Sequence, residues 1–239
     1  ETSTEPKKKL EVVLGDVSDF KGTEDFQPVD FLFESEGDDI TCCCLINDEH
    51  AVLIENDGFF FDAALAEFLR SKAEKRTDDL KFLSRWAENH GGEVKNCVMD
   101  TSLAGYILNV SGDDYSSERL AALYHAESRE LSGKAEDIGA HKDILEKAAV
   151  FSDLCEKLRT ELKNHGEEKI LDEIELPLAK ILASMELRGF KIDPEGIRSF
   201  GDELLSTIKE TEERIYELCG EKFNILSPKQ LGVVLFEHL

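Results

Sequence analysis

Glu34 and Glu36 are the first residues of this 239-residue sequence whose type and spacing suggest chemistry. They close an apolar run, Phe31-Leu32-Phe33-Glu34-Ser35-Glu36, that reads as a β-strand. Side chains two apart on a strand face the same way, so the two carboxylates could share one divalent ion. Magnesium takes oxygen ligands in near-octahedral geometry, and acids from other elements would have to converge on it. Asp100, Asp113 and Asp114 are acidic candidates, although nothing in their spacing favours them. The opposing reading is that both glutamates are solvated acids at a strand end of a very acidic chain.

Other side chains offer less. Cys42, Cys43 and Cys44 are adjacent, while Cys97, Cys155 and Cys219 stand alone, and no Cys-x-x-Cys pair occurs. Neighbours on a strand point to opposite faces, so these read as free, mostly buried thiols of a reducing cytoplasm. The six histidines are scattered without a His-x-x-x-His pair, and each reads as a surface or satisfied residue. Neither a glycine-rich phosphate loop nor a Gly-x-Ser-x-Gly elbow is present.

The acidity itself limits function. The 52 acidic against 28 basic residues give a formal net charge of −24. Most of the imbalance lies before Ile170, where 38 acidic residues face 20 basic ones. Such a surface repels phosphate, which argues against an autonomous DNA-binding module there. Hydrophobic residues make up 41%, so the chain has material for a sizeable core. It contains no apolar run of membrane-spanning length and no signal-peptide pattern. It begins Glu1-Thr2-Ser3-Thr4 with no methionine, which points to a piece of a longer protein.

The elements that must position these residues follow from periodicity. Residues 1–9 are polar and read as a linker. Leu10–Leu14, Val29–Phe33, Ile40–Ile46 and Ala51–Ile54 are short apolar runs, the last three separated by turn-forming clusters, which predicts an antiparallel meander. Asp62 is expected to cap a helix with Leu65, Phe68 and Leu69 on one face, and a second helix starts near Asp78. Asn96–Met99 reads as a strand and Thr101–Leu108 as a helix. From Ser116 the chain reads as helical, with a loop between about Ser132 and Gly139 and a helix over 143–165. Strands first, then strand alternating with helix, predicts an α/β domain with a mixed sheet.

The last third has helix period throughout. Ile174, Leu178, Ile181, Leu182 and Met185 form one stripe, and Ile197, Leu204, Leu205, Ile208, Ile215 and Leu218 the next, each expected to bury against a partner. Gly189 and Gly220 end these helices, while Asp193-Pro194 and Ser227-Pro228 open new ones by a cap-then-proline signal. This predicts an antiparallel helix pair and a short third helix.

The residues of this stretch resemble a known family. Leu176-Pro177-Leu178, Met185-Glu186, Gly189-Phe190-Lys191-Ile192-Asp193, Phe223-Asn224, Ser227-Pro228-Lys229-Gln230-Leu231 and Leu235-Phe236-Glu237 are similar to the start of the polymerase domain of bacterial DNA polymerase I, a family A enzyme. The resemblance implies helices at the base of palm and thumb. It also implies a 3′–5′ exonuclease domain of ribonuclease H-like α/β fold upstream. The expected organisation is a linker over 1–9, an exonuclease-like domain over 10–166, and the first polymerase helices over 167–239.

The resemblance can be followed into the exonuclease motifs. Two-ion removal of a 3′ nucleotide needs carboxylates from three stretches around ions roughly 3.5–4 Å apart. Glu34 and Glu36 stand where the family has Asp-x-Glu, with glutamate replacing the aspartate. The bridging aspartate falls on Leu83, and the final tyrosine and aspartate on Lys147 and Phe151. Asp153 lies about 200° further round a helix and cannot substitute. Leucine and phenylalanine cannot ligate a hard cation. The expectation is therefore an inactive scaffold with vestigial Glu34 and Glu36, no catalytic or metal site, and no cofactor in this stretch; magnesium would serve the full-length polymerase. The alternatives are a working metal-dependent 3′–5′ exonuclease and an acidic protein-interaction module.

In the family, the third helix faces primer–template DNA, which implies Asn224, Ser227 and Lys229 as backbone contacts. Leu226 departs from the polar residue common there, and a well-capped helix start with a surface lysine is the competing reading. The implied partners are the remaining thumb, palm and fingers and primer–template DNA, with no membrane, in the cytoplasm.

Overall fold

The apolar runs become a sheet because they bury together, with residues 29–32 and 42–46 continuously buried. A computed structural model describes residues 8–25, 28–58 and 60–238. The first run forms β1 (Lys9–Leu14), and the meander forms β2 (Val29–Glu36), β3 (Asp39–Ile46) and β4 (His50–Glu55). β3 pairs antiparallel with both β2 and β4, as the turn clusters require. Gly37 sits at φ 65° in the β2–β3 turn, a conformation that glycine enters without steric cost. Residues 1–7 of the expected linker lie outside the described residues, and Lys9 already belongs to β1.

Three further strands complete a seven-stranded mixed sheet. β5 (Lys75–Thr77), β6 (Cys97–Asp100) and β7 (Glu130–Ser132) give the order β6-β5-β2-β3-β4-β1-β7. β2–β5, β5–β6, β1–β4 and β1–β7 are parallel pairs. β5 and β7 were not expected: three residues are too few to display a period of two.

The helices mostly follow their caps. Two local expectations are corrected. Helix α1 (Phe61–Arg70) starts from Phe60 at φ 62°, so Asp62 lies within its first turn and is not the cap. The loop expected between Ser132 and Gly139 holds helix α5 (Ala135–Ala140), just after β7. Helix α2 (Leu80–Asn89) is capped by Asp79, which accepts from the Phe82 amide at 2.8 Å. Helix α3 (Thr101–Leu108) is capped by Asp100, and α4 (Ser117–Leu123) by Ser116. Helix α6 (Lys142–His165) ends at Gly166, φ 73°.

A short helix α7 (Glu168–Ile170) passes through a π-helical turn, Leu171–Glu175, into α8 (Leu176–Arg188). α8 packs on α2 through its small side, burying Leu176, Ala179 and Ala183, because alanine lets two helix backbones approach closely. Lys180 Nζ donates to the Val94 carbonyl at 2.7 Å, and Lys81 pairs with Glu186 at 2.7 Å. The stripe expected to be buried is the other one: Ile174, Ile181 and Met185 are more than half exposed. Helical period identifies a stripe but not whether the chain supplies a surface to cover it.

The chain divides into two compact units at Gly189. The second, Phe190–Leu239, contains α9 (Pro194–Cys219), α10 (Pro228–Val233) and a π-helical turn over Val234–His238. Asp193 accepts from the Glu195 and Gly196 amides, each at 3.1 Å, and Gly220 closes α9 at φ 73°, as the signals indicated. No residue of α9 is fully buried, which corrects the expectation of a covered stripe there as well.

Within the first unit, the centre of the sheet holds a charge. Asp30 on β2 is buried, yet both its oxygens are taken: Arg76 on β5 donates through Nε and, at 3.0 Å, through Nη2, and Ser152 on α6 donates its hydroxyl. Arg76 reaches onward to Glu156, whose side chain is 70% exposed. Removing one partner of a buried pair leaves a stranded charge and costs about 3–5 kcal/mol, whereas an exposed pair contributes about 0–1 kcal/mol. Asp30→Ala is therefore expected to lower the urea midpoint far more than Glu156→Ala; similar shifts would show that the buried pair does not hold the sheet to α6.

Candidate exonuclease-like site

The residues singled out by the motif pattern go to different fates. Glu34 lies half-buried on β2 and turns to His141, with Oε2 3.7 Å from Nδ1. A bulge follows it, where the register shifts between Glu34 and Ser35, and Thr41 donates to the Glu34 carbonyl. Bulges sharpen the local twist of a strand. Glu36, beyond the bulge, is exposed beside the turn.

Leu83 and Phe151 are core residues. Leu83 is 2% exposed on the inner face of α2, and Phe151 is fully enclosed on α6. Both helices hold these side chains in the main apolar cluster, where no hard cation could be solvated or ligated.

The nearby acids are committed to structure. Asp100 ends β6, and each of its oxygens takes a backbone N–H, Leu80 at 2.7 Å and Leu103 at 3.0 Å. Burial pushes its pKa up to about 7 despite those two bonds. Asp78 is pushed up to about 6 by burial, opposed by Lys147, whose Nζ lies 3.8 Å away. Lys147 therefore places a cation beside this buried acid. Asp153 accepts from the Glu127 amide and pairs with Lys157 at 3.0 Å, and Asp114 accepts from the Ser116 amide. These side chains do not fit a two-magnesium centre.

In the second unit, the residues implied as DNA contacts are engaged locally. Ser227 caps α10 by accepting from the Gln230 amide, and Asn224 Oδ1 accepts from the Leu226 amide at 3.1 Å. Gln230 Oε1 in turn accepts from the Asn224 amide at 2.8 Å. Lys229 is exposed in the first turn.

Four residues outside the motif pattern matter here. Asp30, Arg76 and Ser152 carry no spacing signal, because they come from three elements. His141 looked like a scattered histidine and is instead 11% exposed between Glu34 and Glu55.

Comparisons with known proteins agree with this architecture. No family model matches the chain. DNA polymerase I of Bacillus subtilis (strain 168) is 36% identical over 231 residues, covering 89% of this chain and 26% of the relative. DNA polymerase I of Synechocystis sp. is 37% identical over 180 residues, covering 69% of this chain and 18% of the relative. Among solved structures, the polymerase domain of Pol1 from M. smegmatis, in complex with DNA primer-template and dNTP, superposes with a TM-score of 0.74 at 24% identity. That match covers 96% of this chain and 41% of the other. Brucella melitensis NrnC matches with a TM-score of 0.55 at 15% identity, over 78% of this chain and 98% of its own. The chain spans about a quarter of the length of the Bacillus relative. With these identities sustained along most of its length, the chain belongs to the bacterial DNA polymerase I family.

Proposed function

We propose that this chain joins an exonuclease-like scaffold, residues 10–166 with a ribonuclease H-like arrangement, to the first helices of a polymerase domain, residues 167–239. The scaffold does not hydrolyse DNA. The observation behind this reading is the burial of Leu83 and Phe151 in the apolar core at positions where the family resemblance calls for acids. Around them, Asp100 serves as a helix cap and Asp78 faces Lys147.

The whole protein would carry out template-directed DNA synthesis in replication and repair, with magnesium, in the cytoplasm. Its partners would be the thumb, palm and fingers and a primer–template. Lys229 would then meet the backbone of that duplex, with Ser227 and Asn224 holding the α10 start. Membrane association is no part of this reading, and no helix among the described residues is long and apolar enough to cross a membrane.

A second reading, a working exonuclease, has in its favour Glu34 and Glu36, two acids at the end of β2. Incubating the chain with single-stranded DNA and manganese separates the two. No shortening of the DNA is expected; a product ladder that disappears in Glu34→Ala would overturn the scaffold reading.

The Asp100 assignment has its own test. Its folded pKa of about 7 exceeds the ordinary 3.8, so between those values the native state keeps a proton that the unfolded chain has lost. Stability from this group is complete below about pH 4 and declines as pH rises through 7. Asp100→Asn cannot titrate and should flatten the fall in stability between pH 5 and 8, measured by urea unfolding. An unchanged pH slope would remove Asp100 from this role.

A further inference from the structure

The pairing register sets three side chains in a row. Glu34 on β2 pairs with Cys42 on β3, and Cys42 pairs with Glu55 on β4. Directly paired residues share a face of the sheet, about 5 Å apart. His141, between α5 and α6, stands against this row, with Nδ1 3.7 Å from Glu34 Oε2 and Nε2 3.0 Å from Glu55 Oε1. The ligand atoms of Glu34, Cys42 and His141 all lie within 4.8 Å of one another.

Hydrogen bonding leaves one position of this cluster open. A carboxylate only accepts, so the short contact to Glu55 puts the ring hydrogen on Nε2. In the neutral ring Nδ1 then carries a lone pair; it is enclosed and has no hydrogen-bond partner. It faces the carboxylate of Glu34, so two acceptors look at each other across a gap. Cys42 completes the trio, its thiol making a 3.6 Å contact to the Cys43 carbonyl.

We propose that Glu34, Cys42 and His141 bind one divalent cation of the zinc class, with Glu55 orienting the imidazole from behind. Zinc accepts a thiolate, an imidazole nitrogen and a carboxylate in a tetrahedral set. The carboxylate–histidine–metal arrangement is the usual means of fixing the ring. A fourth position faces solvent on the Glu34 side, whose side chain is 34% exposed. Thiolate and imidazole are poor magnesium ligands, so this is a single-ion site, distinct in chemistry from a two-magnesium hydrolytic centre. It shares Glu34 with the vestigial pattern and does not depend on whether the scaffold reading holds.

Binding displaces the Cys42 proton to solvent as the sulfur–metal bond forms. Without an ion that thiolate is strongly disfavoured: burial, then Glu34 and Glu55, push the Cys42 pKa up to about 12. A cation among these groups opposes that shift by placing positive charge beside the sulfur and the two carboxylates.

The test uses the full chain, freed of metal with a chelator and titrated with cobalt(II). One equivalent should produce a thiolate-to-cobalt charge-transfer band, which zinc then displaces. Cys42→Ser should abolish the band, and Glu55→Gln should weaken binding roughly 10–100-fold. Cys219→Ser, on α9, should leave it unchanged. Should Cys42→Ser fail to fold, His141→Gln, at a helix boundary, is expected to lose stoichiometric binding with the fold retained by circular dichroism. The proposal is overturned by wild-type chain without a band at one equivalent, or by a band that survives in Cys42→Ser or in His141→Gln.

Discussion

A carboxylate buried in the middle of a sheet sets the terms for the first unit of this protein. Asp30 is buried, so it must be paired, and Arg76 from the neighbouring strand supplies the cation. Ser152 supplies a further donor from α6. One anion thus clamps β2, β5 and the longest helix of the unit together. α6 also packs through its own apolar stripe. Phe151, next to Ser152, is carried into the core, and the start of the helix brings His141 over the row formed by Glu34, Cys42 and Glu55.

On the proposed reading, the places that would hold ions in a hydrolytic relative have been refilled by packing. Phe151 and Leu83 contribute apolar contact where acids would have to remain solvated. A change of this kind does not weaken the fold, because a buried hydrophobe needs no partner whereas a buried acid does. The acids that remain have taken structural work. Asp100 caps α3 and ties it to α2, which keeps β6 aligned with the helices that follow. The strongly negative surface fits a unit that positions neighbours without gripping nucleic acid itself.

The sequence was most legible where a signal was local. The meander β2–β4, the caps Asp193 and Ser227, and the closures at Gly189 and Gly220 each depend on a few adjacent residues, and each formed as expected. Signals spread over three residues or fewer, as in β5 and β7, were not legible. Family membership was also readable, because the ordered residues around the α8–α9 junction and the α10 start are specific in combination.

What tertiary structure alone decided were relations between distant positions. Which stripe of α8 is covered depended on the surface that α2 offers, and it took the alanines in preference to the larger apolar side. Asp30, Arg76 and Ser152 are separated by dozens of residues, and so are Glu34 and His141. Periodicity specifies the face of an element on which a residue lies. It carries no information about which other element will meet that face, because that is fixed by the packing of the whole core at once.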